Sequence, residues 1–259
     1  MKTKLALIIA ATLASGSVLA NNTADLDLFM TSDSDVTVFQ ESPNEGNKAD
    51  IKSYFVDDST LSISQVGGEN KARILAVGVD SGNFSIDQTG NSNKARIMTD
   101  NSPWDHYSYD NDNVSIVQNG DSNKSQVLLQ GGTDDSNVEL SVEGTLNETS
   151  VVLNRGDGSS VTGNVDGTGN MADVYVENSF GNSVDFTQTG DYNTIDVDVT
   201  GWSHGNDITI DQQNAHAAAN VSVYWGSSEN TINITQTYGD VANVNVGAST
   251  NNTVTVIQY

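Results

Sequence analysis

One short unit, written about ten times, constrains this chain more than any other feature. Its clearest copy is NFSIDQTGNSNKARIM, Asn83 to Met98. Phe84, Ile86 and Gln88 alternate with Ser85 and Asp87, TGNS turns the chain, and Asn93, Ala95 and Ile97 then alternate with Lys94 and Arg96. Period-two alternation on both sides of a Gly/Asn/Ser cluster predicts strand, turn, strand. Two amides, Gln88 and Asn93, share the parity of the apolar residues and so face the same interior.

With Gln88 as the marker, equivalent positions fall at Gln40, Gln65, Gln118, Gln188, Gln212, Gln236 and Gln258, with Val142 and Val165 filling the gap. Successive markers lie 22 to 25 residues apart, except for one interval of 30 that contains Met98 to Asp112. Such an insertion is what a surface loop of a repeat protein tolerates. The consensus is Ser/Asn-x-Val/Ile-x-Ile-x-Gln-x-Gly-x-x-Asn-x-Ala-x-Val-x-apolar. The first copy is degenerate, the turn after Gln212 lacks its Gly and Asn, the unit at Gln236 is one residue short, and NTVTVIQY is a lone first strand.

No single unit can bury its face, so the units must stack. The predicted fold is all-β: a β-solenoid of about ten stacked coils forming two parallel, in-register sheets. Layers would repeat at about 4.8 Å and the sheets lie about 10 Å apart, a cross-β, amyloid-competent arrangement. The apolar interior is assigned to Ile63, Phe84, Ile86, Ile97, Ile116, Val127, Leu140, Val174, Phe186, Val197, Ile210, Ile234 and Val256. A lone buried amide left without partners costs about 1–3 kcal/mol, but identical amides stacked in register satisfy one another. One such column comprises the eight marker glutamines. A second comprises Asn47, Asn70, Asn93, Asn123, Asn147, Asn170 and Asn193, and the turn glycines are Gly67, Gly90, Gly120, Gly144, Gly167 and Gly190.

Residues 1–20 read as a secretory signal peptide: Lys2 and Lys4 precede LALIIAATLA, with Val18 and Ala20 at the small-residue cleavage positions. That run is too short to span a bilayer, and no other candidate span follows. Residues 21–33 read as a leader outside the repeats, and 34–259 as the repeat domain. The chain has no cysteine, so its stability in an oxidising compartment is not covalent.

Outward positions are polar. Lys48, Lys71, Lys94 and Lys124 share one position after the turn Asn, and Arg73 and Arg96 share another. Beyond Arg155 there is no Lys or Arg, while acidic residues continue to Asp240. A formal net charge of −24 excludes nucleic acid as a partner, since phosphate backbones are held by clustered Lys and Arg. Trp104, Tyr107, Tyr109, Trp202 and Trp225 read as loop or outward residues. His106, His204 and His216 have no partner spacing. No nucleophile–base pair, phosphate loop, metal-ligand set or cofactor signature is present, so the chain is not read as an enzyme and no cofactor is expected.

The repeat S-x-V-x-I-x-Q-x-G-x-x-N-x-A-x-V, over about residues 34–259, resembles that of the curlin family, subunits of bacterial curli amyloid fibres. Similarity extends to a signal peptide followed by a short leader and to the final IQY. Curlin second strands usually end in a further Gln, whereas here that place holds Ala76, Thr99, Leu129, Leu153, Val176, Val199, Val223 and Val246. The resemblance implies a secreted structural subunit, polymerising head to tail with copies of itself into extracellular fibres on the surface of a Gram-negative bacterium. It also implies a nucleator subunit and an outer-membrane secretion channel as partners, without membrane insertion. The competing reading is a soluble or surface-attached β-solenoid that binds a target, of the adhesin or ice-binding type.

Overall fold

The computed structural model describes residues 21–43, 45–99 and 109–259, together with the backbone of 6–12. Among them the chain contains no helix and forms two long parallel sheets, of eleven and ten strands. The first sheet holds the first strand of each repeat, such as Thr60–Val66, Asn83–Thr89 and Asn113–Asp121; the second holds their partners Lys71–Val77, Lys94–Thr99 and Lys124–Gln130. The chain is a β-solenoid. Each strand pairs with its counterpart one repeat away and with no offset, so that Ile86 sits between Ile63 and Ile116.

The strands arise from the alternation itself. Burial along Lys94–Thr99 runs exposed, buried, exposed, buried, and the inward set from every layer merges into one apolar core between the sheets. Several strands reach nine residues, longer than the sequence suggests, because turn residues keep the ladder going: Gly120 pairs with Gly144, and Asp121 with Thr145.

Three features differ from the sequence reading. First, the leader is not outside the stack. Thr23–Phe29 is a strand in register with Lys48–Tyr54, and Ala24, Leu26 and Leu28 pack against the core. Asn22 and the alternation that follows it repeat the second half of the consensus, and only the absence of a preceding Gln hid it. Second, the return turn forms a narrow third edge. Val79–Asp80 pairs with Tyr109–Asp110, and bridges link Ser32, Asp57 and Asp80. Third, Tyr109 is not an outward residue: it is 1% exposed and, with Val56 and Val79, belongs to the core behind that edge.

Ala6–Thr12, inside the segment read as a signal peptide, runs parallel to Asp35–Glu41. The cleavage positions Val18 and Ala20 lie outside the described residues, as do Trp104, His106 and Tyr107 of the insertion.

Candidate functional site

The polar interior is where this fold departs from an ordinary hydrophobic core. Gln65 and Gln88 are fully buried, held inward by the parity of Thr60–Val66 and Asn83–Thr89. Their amides form a chain of like-directed bonds: Gln40 Nε2 donates to Gln65 Oε1 at 2.8 Å, Gln65 to Gln88 at 2.9 Å, and Gln88 to Gln118 at 2.7 Å. The remaining N–H crosses to the opposite sheet, as Gln88 Nε2 does to the Lys71 carbonyl at 3.3 Å. Each glutamine therefore stitches two layers and both sheets together.

Val142 and Val165 occupy the next two places in register and interrupt the column. Gln118 redirects its N–H to Ser125 Oγ at 2.9 Å. On the other side of the gap Gln188 Oε1 is buried with no donor. From there the column resumes, through Gln212 at 3.1 Å, Gln236 at 2.9 Å and Gln258 at 3.0 Å. Gln258 and Val256, in the strand Thr253–Gln258, are half-buried rather than interior.

The asparagine column works differently from the stacked amides read from sequence. Asn47, Asn70, Asn93, Asn123, Asn147, Asn170 and Asn193 are all buried, but their bonds run mainly to backbone. Asn93 N–H donates to Asn70 Oδ1 at 3.0 Å, and Asn93 Nδ2 donates to the Gly120 carbonyl at 2.6 Å. A direct amide pair occurs at Asn147 Nδ2 to Asn123 Oδ1, 3.1 Å. The acceptors are the turn glycines. Gly67, Gly90, Gly120, Gly144, Gly167 and Gly190 have φ between 102° and 127°, a region that L side chains rarely adopt. A Cβ on Gly120 would stand 2.1 Å from the Gly144 carbonyl oxygen. Glycine lets these successive turns approach closely enough for the asparagines to bind them; Asn193 alone reaches a non-glycine turn, donating to the Asn214 carbonyl at 3.0 Å.

A further column lies at the return turn, where the sequence reading did not look for one. Asn182, Asn206, Asn230 and Asn252 stack there, with Asn206 Nδ2 donating to Asn182 Oδ1 at 3.0 Å and Asn230 Nδ2 to Asn206 Oδ1 at 2.9 Å. Earlier layers place Ser34, Ser59 and Asp112 in equivalent roles: Ser59 N–H donates to Ser34 Oγ and Ser136 N–H to Asp112 Oδ1. The signal was the Ser or Asn that recurs just before most first strands, replaced by Gly82 and Asp112 in two layers. Asp112 is completely buried, and burial pushes its carboxyl up to about 7. Bonds from Thr133 and Ser136 pull it down, and Asp134 and Asp157 push it further up.

A family model described as curlin associated repeat matches residues 57–97. Residues 57–97 carry a curlin-type repeat. The matched segment contains Thr60–Val66, Lys71–Val77 and Asn83–Thr89, and the same register continues through the layers on both sides of it. No curated protein matches the chain.

The remaining assigned residues of the solenoid fall as follows. Ile63, Phe84, Ile86, Ile97, Ile116, Val127, Leu140, Val174, Phe186, Val197, Ile210 and Ile234 lie in the core, with Phe186 filling the space left in the next layer by Gly163. Ala76, Thr99, Leu129, Leu153, Val176, Val199, Val223 and Val246 form the buried column at the end of the second strands. Lys48, Lys71, Lys94 and Lys124 are exposed and in register, as are Arg73 and Arg96 on the neighbouring position, where Arg73 is partly covered. Arg73 Nε lies 3.7 Å from Asp50 Oδ2, and Lys124 pairs with Glu148. His204 and His216 are exposed, and His216 stacks on Tyr192 with centroids 5.5 Å apart. Asp33, Asp57 and Asp58 bring three exposed carboxylates within 4.8 Å of one another, on the surface of the return turn.

Proposed function

We propose that the chain is a structural subunit, secreted and polymerising head to tail into extracellular curli-like amyloid fibres that serve a biofilm matrix and adhesion. The observation that carries this reading is the self-complementarity of the layers. Coils with the full consensus present on one side the Gln acceptors and turn carbonyls, and on the other the Gln and Asn donors, that their neighbours already use. An interface of that polarity is heterologous and does not close, so repetition between molecules extends a filament. The strand Thr253–Gln258 pairs on one side with Thr231–Gln236, and its Val254 and Val256 remain only half-buried. Such a surface is a template for a further strand. Family resemblance adds a nucleator subunit and an outer-membrane secretion channel as partners, a signal peptide at 1–20 removed during export, and a Gram-negative cell surface as the site of the fibre. The structural role of curlins supports a non-enzymatic reading.

The experiment is to purify residues 21–259 without denaturant and follow assembly over days. Fibres with a meridional reflection at about 4.7 Å support the reading. A monodisperse monomer refutes it and favours the adhesin-like alternative, for which the exposed Trp202 and Trp225 are the available contact surface.

A further inference from the structure

The outer face of the second sheet carries an ordered charge pattern that the stacking of layers uses only in part, through Arg73–Asp50 and Lys124–Glu148. One outward position, followed through six consecutive layers, reads Arg73, Arg96, Gln126, Ser150, Asp173, Asp196. Two cations, two neutral polar residues and two anions make a sequence that is the opposite of itself when reversed. The adjoining outward position, two residues along each strand, reads Met98, Leu128, Val152, Tyr175 in the middle four of those layers, all half-buried. A contiguous apolar stripe on the solvent side of a sheet is surface suited to being covered.

We propose that two copies of this chain pair face to face through this surface, with solenoid axes antiparallel. A two-fold axis parallel to the strands, passing between the layers of Gln126 and Ser150, keeps each outward position opposite itself and reverses the order of layers. Arg96 then faces Asp173 of the second copy, Arg73 faces Asp196, and Gln126 faces Ser150. The same rotation sets Met98 against Tyr175, Leu128 against Val152, and Lys124 against Glu148. The contact is isologous, so every complementary pair occurs twice.

Within one copy like charges adjoin, relieved among the described residues only at Arg73, by Asp50 of the preceding layer. Arg73 and Arg96 are neighbours in register, as are Asp173 and Asp196. The Asp196 carboxyl is raised by burial and then by Asp173, which is what a facing guanidinium would relieve. Charge pairing of this kind fixes orientation and register, while the stripe of four apolar side chains supplies the dry centre. The surface leaves the strand edges untouched, so it joins two solenoids side by side and stands whether or not they also grow end to end.

The test uses the full chain, which has no cysteine of its own. Met98→Cys and Tyr175→Cys chains are prepared separately, mixed at low ionic strength and treated with a bismaleimide that reaches across the roughly 10 Å between packed sheets. In the proposed pair residue 98 of one copy lies directly across from residue 175 of the other, whereas like positions are offset by a further three layers, about 14 Å, beyond that crosslinker's reach. The expected result is a crosslinked dimer in the mixture and at least tenfold less in either variant alone. Equal crosslinking in all three samples overturns the proposal. In the Cys-free background, Arg96→Asp or Asp173→Arg alone should reduce side-by-side pairs, counted by electron microscopy or sedimentation, at least tenfold. The combined exchange should restore them; failure of the exchange variant to pair, with its β-sheet circular dichroism intact, also overturns it. Crosslinking without fibres would separate this surface from head-to-tail assembly.

Discussion

Replacing Gln88 separates a rung of a hydrogen-bonded column from a merely buried polar residue. Gln88 accepts from Gln65 at 2.9 Å and donates to Gln118 at 2.7 Å and to the Lys71 carbonyl at 3.3 Å. Gln88→Leu keeps the volume apolar and leaves two side-chain groups short of a partner, one Gln65 N–H and Gln118 Oε1. At about 1–3 kcal/mol each, the loss is about 2–6 kcal/mol, and it is independent of pH. Gln88→Glu behaves differently. The carboxylate still accepts from Gln65, but it faces two further acceptors, Gln118 Oε1 and the Lys71 carbonyl, in a site closed to water. Holding that charge, or protonating the group against a pKa raised by roughly three units, adds about 4 kcal/mol at pH 8. Once protonated, the carboxylic acid regains one donor for Gln118, so the penalty shrinks as pH falls through the raised pKa. The assay is the denaturant midpoint and the assembly rate of both variants between pH 4 and pH 8. The expected order at pH 8 is wild type, Leu, Glu, with Glu moving toward wild type at pH 4. If both variants matched wild type, or if Glu showed no more pH dependence than Leu, Gln88 would not be an interior rung.

Asp112 predicts a pH dependence of its own. Its folded pKa of about 7 lies above the ordinary 3.8, so the folded chain retains a proton that the unfolded chain has lost between those values. The stability this contributes is present in acid and disappears as pH rises through about 7. Asp112→Asn, which supplies the amide that Asn182 and Asn206 supply in later layers, should raise the unfolding midpoint at pH 8 and leave it nearly unchanged at pH 4; equal shifts at both would count against the buried-carboxyl account. Gly120→Ala should cost several kcal/mol, since φ of 115° and a contact of 2.1 Å both oppose a Cβ. Denaturation compared with an exposed Asn119→Ala control measures it, and a difference below about 1 kcal/mol would mean that the turn rearranges freely.

Much of this architecture could be read without coordinates, because a repeat states its own register. Gln65, Gln88 and Gln118 share a parity and a spacing, so their alignment followed once the strands were recognised, and Gly90 and Gly120 marked the turns for the same reason. The strand Thr23–Phe29 was legible too, in Asn22, Ala24, Leu26 and Leu28, but a search keyed on Gln passes over a half unit that has none. Other features required the third dimension. Tyr109 follows an irregular insertion, so no periodicity assigns it a side, and only the closing of the return edge over Val56 and Val79 buries it. Asn93 was placed inside by parity, yet the choice between a neighbouring amide and the Gly120 carbonyl depends on how closely two turns approach, a distance set by packing. The same holds for the outward charges. Arg96 and Asp173 lie far apart along the chain and three layers apart in space, and their opposite signs gain meaning only on one flat face with its layers in order. Local alternation determines which way each side chain points; what it meets there is decided by layers that the chain brings together only when it is wound.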